Sequence, residues 1–281
     1  MTTLALPLLS VRRRPPGLVV GSVAVLALTV LAVAASPFLQ EAATRQDILS
    51  TTLPAGTPGH LLGTDALGRD VLLLTVAGAG SAIVGPVTIA AGSMVLGVIF
   101  GTLAGYCRGL TDWVVGRIAD VLLALPVMLV ALVVGGVFGS SYWMTVLMLV
   151  VLFCPSDVRI VRAGVIEQAS RPYVEAAQML SLAPVRVMFR HLVPNVVPLI
   201  VTNLLLNIAF ALVTLSSLSY LGVGVGPGSA DWGRQISDGR SIMFTNPAAI
   251  IVPAVCIVLV ACATTVVGDW IRDVAERGST R

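Results

Sequence analysis

The chain has 281 residues, of which 57% are apolar and 11% charged, with a formal net charge of +3. A soluble globular domain of this size would not tolerate that composition, so the membrane class is the starting point, and the small positive charge gives no reason to expect nucleic acid as a partner. All 17 basic residues are Arg and none is Lys, which excludes a phosphate-binding loop of the GxxxxGK[ST] type.

In chain order, hydropathy predicts six helical spans at about 18–35, 81–105, 119–138, 143–155 with an extension to Ser141 or past Pro155, 196–220 and 247–267. They imply an all-α polytopic membrane protein. Its parts are a tail (1–17), an anchor helix (18–35), an extracytoplasmic segment with a short helix (36–80), a membrane core (81–267) and a tail (268–281). The first span follows Arg12, Arg13 and Arg14 and carries Ala32 and Ala34 in an A-x-A arrangement. Its apolar run is longer than that of a cleaved signal, which favours an uncleaved anchor. With the amino terminus inside, thirteen Arg fall in inner segments and four (Arg45, Arg69, Arg234, Arg240) in outer ones. This places both termini in the cytoplasm.

The outer stretch "GTDALGRD" offers Thr64 or Asp65 as a helix cap and pairs Asp65 with Arg69 at i, i+4. This predicts an ordered, lid-like turn. In the second span, Gly97, Gly101 and Gly105 form a tandem GxxxG stripe that favours packing of another helix of the same chain over dimerisation. Pro86, Pro126, Pro198 and Pro253 mark kinks or helix ends. No carboxylate is expected in the middle of a span, Asp120 and Asp157 being placed at inner ends, which weighs against a proton relay. Cys107, Cys154, Cys256 and Cys262 lack CxxC spacing, and His60 and His191 lie in separate segments. No metal site, cofactor site or catalytic constellation is therefore expected.

The longest inner connection, 156–195, is half polar. Ser170 as N-cap, Pro172 in the first turn, Glu175 near the N-terminus and Pro184 as a stop predict a helix of about three turns. Tyr173, Ala176, Ala177 and Leu180 share one stripe, with Glu175, Gln178 and Ser181 on its flank. That surface suits a groove on another protein, and an interfacial loop with no protein partner is the alternative. "VRVMFRHLVPN" follows, with its arginines able to snorkel to headgroups. In the fifth span Asn203 and Asn207 lie one turn apart on one face, where they either line a hydrated path or hold helices together. "GVGVGPGSADWGR" is a Gly-rich outer loop, with Trp232 expected at the headgroup level.

The stretch "YVEAAQMLSLAPVRVMFRHLVPN" (173–195) closely resembles the EAA loop of bacterial ATP-binding cassette (ABC) importer permeases, in particular the dipeptide, oligopeptide and nickel branch. Glu175, Ala176 and Ala177 match the EAA triplet and Pro194 the distal proline, while Ser181 stands where the family usually has Gly. "HLLGTDALGRDVL" (60–72), "LSYLGVGV" (218–225) and "WGRQISDGR" (232–240) resemble the same branch, so the likeness runs from about His60 to Asp273.

The resemblance implies a type I importer permease of six transmembrane helices in the bacterial cytoplasmic membrane. It would pair with a homologous permease, two ATP-binding subunits or a fused one, and an extracytoplasmic substrate-binding protein. Tyr173, Glu175, Ala176, Ala177, Leu180 and Ser181 would then form the coupling helix, and ATP and Mg would be bound by the ATPase partners. Di- and oligopeptides are the expected cargo, with nickel, haem or glutathione-like solutes as alternatives in the same class. An ATP-independent channel or carrier is the rival reading.

Overall fold

The computed structural model describes residues 16–139 and 141–279. The tail with Arg12, Arg13 and Arg14, and the terminal Arg281, lie outside the described residues. The described chain is helical: α1 (Pro16–Thr44), α2 (Val71–Cys107), α3 (Gly109–Leu123), α4 (Val127–Phe138), α5 (Tyr142–Ala169), α6 (Pro172–Met179), α7 (Pro184–Arg186), α8 (Val193–Tyr220), α9 (Trp232–Gly239) and α10 (Ala248–Ser279). A π-turn over Val187–Leu192 joins α7 to α8, and 3-10 turns occupy Ile48–Ser50 and Arg240–Ile242.

Five helical stretches are long and apolar enough to cross a membrane: Gly17–Thr44, Val71–Cys107, Tyr142–Ala169, Pro184–Tyr220 and Ala248–Val274. The expected third span is not one helix. α3 and α4 meet at 80°, because Pro126 takes an extended conformation (ψ 111°) as the N-cap of α4. The other helices overrun their predicted apolar cores. The fourth span, whose apolar core at 143–155 is too short unless it borrows Ser141 or runs past Pro155, continues as helix to Ala169 with Pro155 inside it.

The centre of the bundle is the α2/α5 contact. An added Cβ at Gly97 would stand 2.5 Å from the Asp157 Cβ, one at Gly101 would stand 2.8 Å from the Val158 carbonyl oxygen, and one at Gly105 2.9 Å from a Val165 methyl. The stripe is thus spent on packing within the chain. Above it, Ile89, Leu149, Ala211, Leu215 and Leu218 form the core shared by α2, α5 and α8. Below it, Met94, Val161, Val165, Val187 and Val196 form a second core that also receives α6. α1 lies on the outside, and its Ser36 donates to the Ala77 carbonyl of α2 at 2.7 Å.

Segments 45–70 and 221–247 share one end of the bundle, where a polar knot joins them. Arg69 has 1% of its surface exposed. It donates to Asp65 at 2.6 Å and to the Gly228 carbonyl at 2.7 Å. Asn246 donates to the carbonyls of Leu62 and Thr64. Asp231 caps α9 and accepts from Ser81, and burial pushes its carboxyl above the ordinary carboxylate range.

Two readings of this end are corrected. Trp232 does not anchor in the headgroups: it is 3% exposed and donates to the Thr75 carbonyl at 2.7 Å. Neither Thr64 nor Asp65 caps a helix, because Asp65 closes a turn by accepting the amides of Leu67 and Arg69, and Asp70 caps α2 instead.

Two measurements check these contacts. Gly101→Val should cost about 1–3 kcal/mol by overpacking the α2/α5 contact, read as a lower unfolding temperature in detergent. Gly116→Ala, where an added methyl meets nothing within 4 Å, should be neutral or slightly stabilising. Arg69→Leu should cost about 3–5 kcal/mol, since it strands Asp65 and the Gly228 carbonyl away from water, and protease cleavage within 45–70 should report the loosening.

Candidate functional site

α6 stands at the end of the bundle opposite the knot. Its Pro172 occupies the first helical turn, and Arg171, extended at ψ 145°, is the N-cap. Ser170 is not the cap. It ends α5 and donates to the Glu167 carbonyl.

The helix has eight residues rather than three turns, and Pro184 does not set its end. Ser181 turns left-handed at φ +52°, its amide donates to the Gln178 carbonyl at 2.9 Å, and the Leu182 amide reaches the Ala177 carbonyl at 3.4 Å. These two bonds are a Schellman closure, with Ser181 at the position that favours Gly. The Gly that the EAA resemblance leads one to expect would adopt this conformation freely, and Ser adopts it at a cost of about 1 kcal/mol.

The predicted stripe divides between two faces. Val174 and Ala177 are buried and pack on Val161, Val165 and Leu192 beneath them. Val174, which the sequence reading passed over, is the seat of the helix. Its i, i+3 relation to Ala177 was the available signal. Tyr173, Glu175, Ala176 and Ser181 face outward, together with Met179 and Leu180 at 84% and 75% exposure. The phenol of Tyr173 donates to Gln168 at 3.1 Å, which ties α6 to the end of α5.

Asn203 and Asn207 of α8 come together on one partner. Both donate to Oδ1 of Asp157 in α5, at 2.6 and 2.5 Å. Asp157 has no exposed surface, so the expectation that carboxylates avoid the interior of the spanning helices is overturned. Carrying the helix past Pro155 places Asp157 one turn before Val161 on the buried face, and the i+4 spacing to Val161 was the legible sign. Asn207 is buried, whereas Asn203 also lines a cavity of about 580 Å³ between α5, α8 and α10, with Glu167, Gln168, Asn195 and Arg272. On the outer side of α5, Arg162 holds Asp112 of α3 through two bonds at 2.5 and 2.7 Å, and Arg159 pairs with Asp120.

Among the described residues no group of three or more His, Cys, Asp or Glu is placed to hold a metal ion. The sequence model of the family described as "Binding-protein-dependent transport system inner membrane component" matches residues 97–281, more than half of the chain and all of the α5 to α10 region. The chain belongs to this family.

This inner-membrane component is 32% identical over 257 residues to the oligopeptide transport system permease protein OppC of Bacillus subtilis, covering 92% of this chain and 84% of that protein. It is 32% identical over 217 residues to the glutathione transport system permease protein GsiD of Pectobacterium atrosepticum, covering 77% and 72%. The dipeptide transport system permease protein DppC of Haemophilus influenzae is 27% identical over 265 residues, covering 92% and 90%. In fold the inner-membrane component resembles a solved structure of the MetNI methionine ABC transporter in an inward-facing conformation, with a TM-score of 0.55 at 17% identity over 72% of this chain and 96% of that one. The chain is a multi-pass membrane protein of the ABC importer permease type.

Ser181→Gly should stabilise the α6 terminus by about 1 kcal/mol and Ser181→Val should destabilise it. Hydrogen exchange at the Leu182 amide, which closes the turn, should slow in the first variant and quicken in the second.

Proposed function

We propose that this chain is one of two permease subunits of an ATP-driven importer, that it forms half of the path for di- and oligopeptides, and that α6 seats in a groove of an ATP-binding subunit. The carrying observation is the division of α6 into a buried seat and an exposed face. Val174 and Ala177 fix it to the core of α2, α5 and α8, while Met179 and Leu180 offer apolar surface at the end of the bundle. A helix held in this way moves the spanning helices with it. ATP then drives the cycle provided that the groove binds α6 differently in its nucleotide-closed and open states.

Arg placement supports a cytoplasmic location for α6. The end that carries the knot holds Arg45, Arg69, Arg234 and Arg240, whereas the α6 end holds Arg171, Arg186, Arg190 and Arg272 beside the Arg108, Arg159 and Arg162 group. The opposite face, with its rigid knot, would receive the substrate-binding protein. ATP and Mg belong to the ATPase partners, and this chain carries out no covalent step. Peptide cargo is supported by the OppC and DppC relatives. Glutathione, itself a peptide, is the second reading and is favoured by the GsiD relative.

Purification in mild detergent should recover an ATP-hydrolysing polypeptide with the chain. Leu180→Asp should weaken that association about 10- to 100-fold, the equivalent of about 1.5–3 kcal/mol for an apolar side chain no longer buried, and Glu175→Ala should lower ATP-dependent dipeptide uptake. Recovery of no ATPase, together with uptake indifferent to both changes, would overturn the proposal in favour of an ATP-independent carrier.

A further inference from the structure

The geometry of Asp157 constrains more than helix packing. Its backbone is pressed against the notch at Gly97, its Oδ1 accepts from two Asn side chains, and its Oδ2 is buried without a hydrogen bond. The Ser93 hydroxyl stands beside it and bonds the Ala90 carbonyl at 3.2 Å. A carboxylate oxygen that receives two amides accepts from both. Each Asn therefore turns its NH2 group toward Asp157, because a flipped amide would set its oxygen against the carboxylate oxygen.

For Asn207 this orientation has no outlet, since the side chain is enclosed. Asn203 differs because it is half-buried and belongs to the wall of the 580 Å³ cavity. With one N–H of its amide given to Asp157, Asn203 keeps Oδ1 as its acceptor. The same wall carries Glu167, Gln168, Asn195 and Arg272. Asp157 itself never reaches the cavity and acts through its neighbour.

We propose that Asp157 is a positioning residue for solute passage: by fixing the Asn203 amide it keeps an acceptor oxygen facing the cavity, which selects solutes that present N–H donors, such as the backbone amides of a short peptide. This inference rests on the importer reading above. It assigns to the permease a share of the selection that would otherwise belong to the substrate-binding protein alone.

The test uses the complete importer in proteoliposomes with ATP supplied to the ATPase side. Uptake of trialanine is compared with that of trialanine carrying one N-methylated amide, each at saturation of the same substrate-binding protein. A change in the rate ratio between variants then belongs to the permease. Asn203→Ala and Asp157→Asn should each lower the wild-type preference for the unmethylated peptide at least fivefold. The double variant should go no lower than Asn203→Ala, because a neutral residue 157, which both donates and accepts, frees Asn203 to rotate. A wild-type ratio in Asn203→Ala overturns the inference, as do independent effects that multiply. If Asp157→Asn fails to assemble, Asn203→Ala decides, since it leaves the carboxylate its Asn207 partner. No ATP-driven uptake of either peptide by the wild type overturns the importer reading, and this inference with it.

Discussion

The bundle depends on how closely α2 and α5 approach along Gly97, Gly101 and Gly105. Lipid gives spanning helices no hydrophobic reason to associate, so contact between backbones has to supply the attraction. Each of the three glycines faces an atom of α5 at a distance that no side chain would permit. Once the two axes are fixed, α8 can fit beside them and complete both the upper and lower cores. The upper core leads to the polar knot and the lower one to α6.

Polar groups are used differently at the three levels. In the knot, Arg69 is satisfied by carboxylates and a carbonyl from two distant segments, so the 45–70 and 221–247 segments behave as one cap. Within the bundle, Asp157 joins α5 to α8 through neutral amides, which compensate part of the loss of water around a buried carboxylate. Toward the α6 end, Arg162 binds Asp112 in a more open place, where an ion pair contributes less to stability. The buried ties join elements that must keep their relative position, and the open one holds α3, which also lies against α2.

Long apolar runs and the glycine stripe were legible because each follows from one property of the bilayer. The short helix was legible in part. Pro172 marked its start, but Pro184 pointed to an end that the left-handed Ser181 reaches first, and backbone handedness at a non-Gly residue has no composition signal. Asp157 was placed at an inner end because the apolar run stops near Pro155, while the helix runs on to Ala169. Trp232 was misread since an aromatic beside an apolar loop looks alike whether it meets lipid or a neighbouring helix. What decided it was a hydrogen bond to Thr75, 157 residues away. Asn203 and Asn207 drew notice as a pair, yet their common partner lay on another helix, and pairings of that range depend on packing rather than pattern.

The 80° break between α3 and α4 has a consequence for the surface it leaves. α4 has 12 residues, about 18 Å of helix, against a hydrocarbon core of about 30 Å, so the corner falls at a depth where open backbone is costly. The corner is nearly sealed. The amides of Ala124 and Leu125 return to the Asp120 and Leu122 carbonyls, and Pro126 has no N–H to expose. What remains is the first turn of α4, where Val127, Met128 and Leu129 point three amides backward with no side-chain cap. On a flank otherwise coated with Leu and Val, that turn is the spot where water, or an oxygen from an adjoining helix, is preferred to an acyl chain.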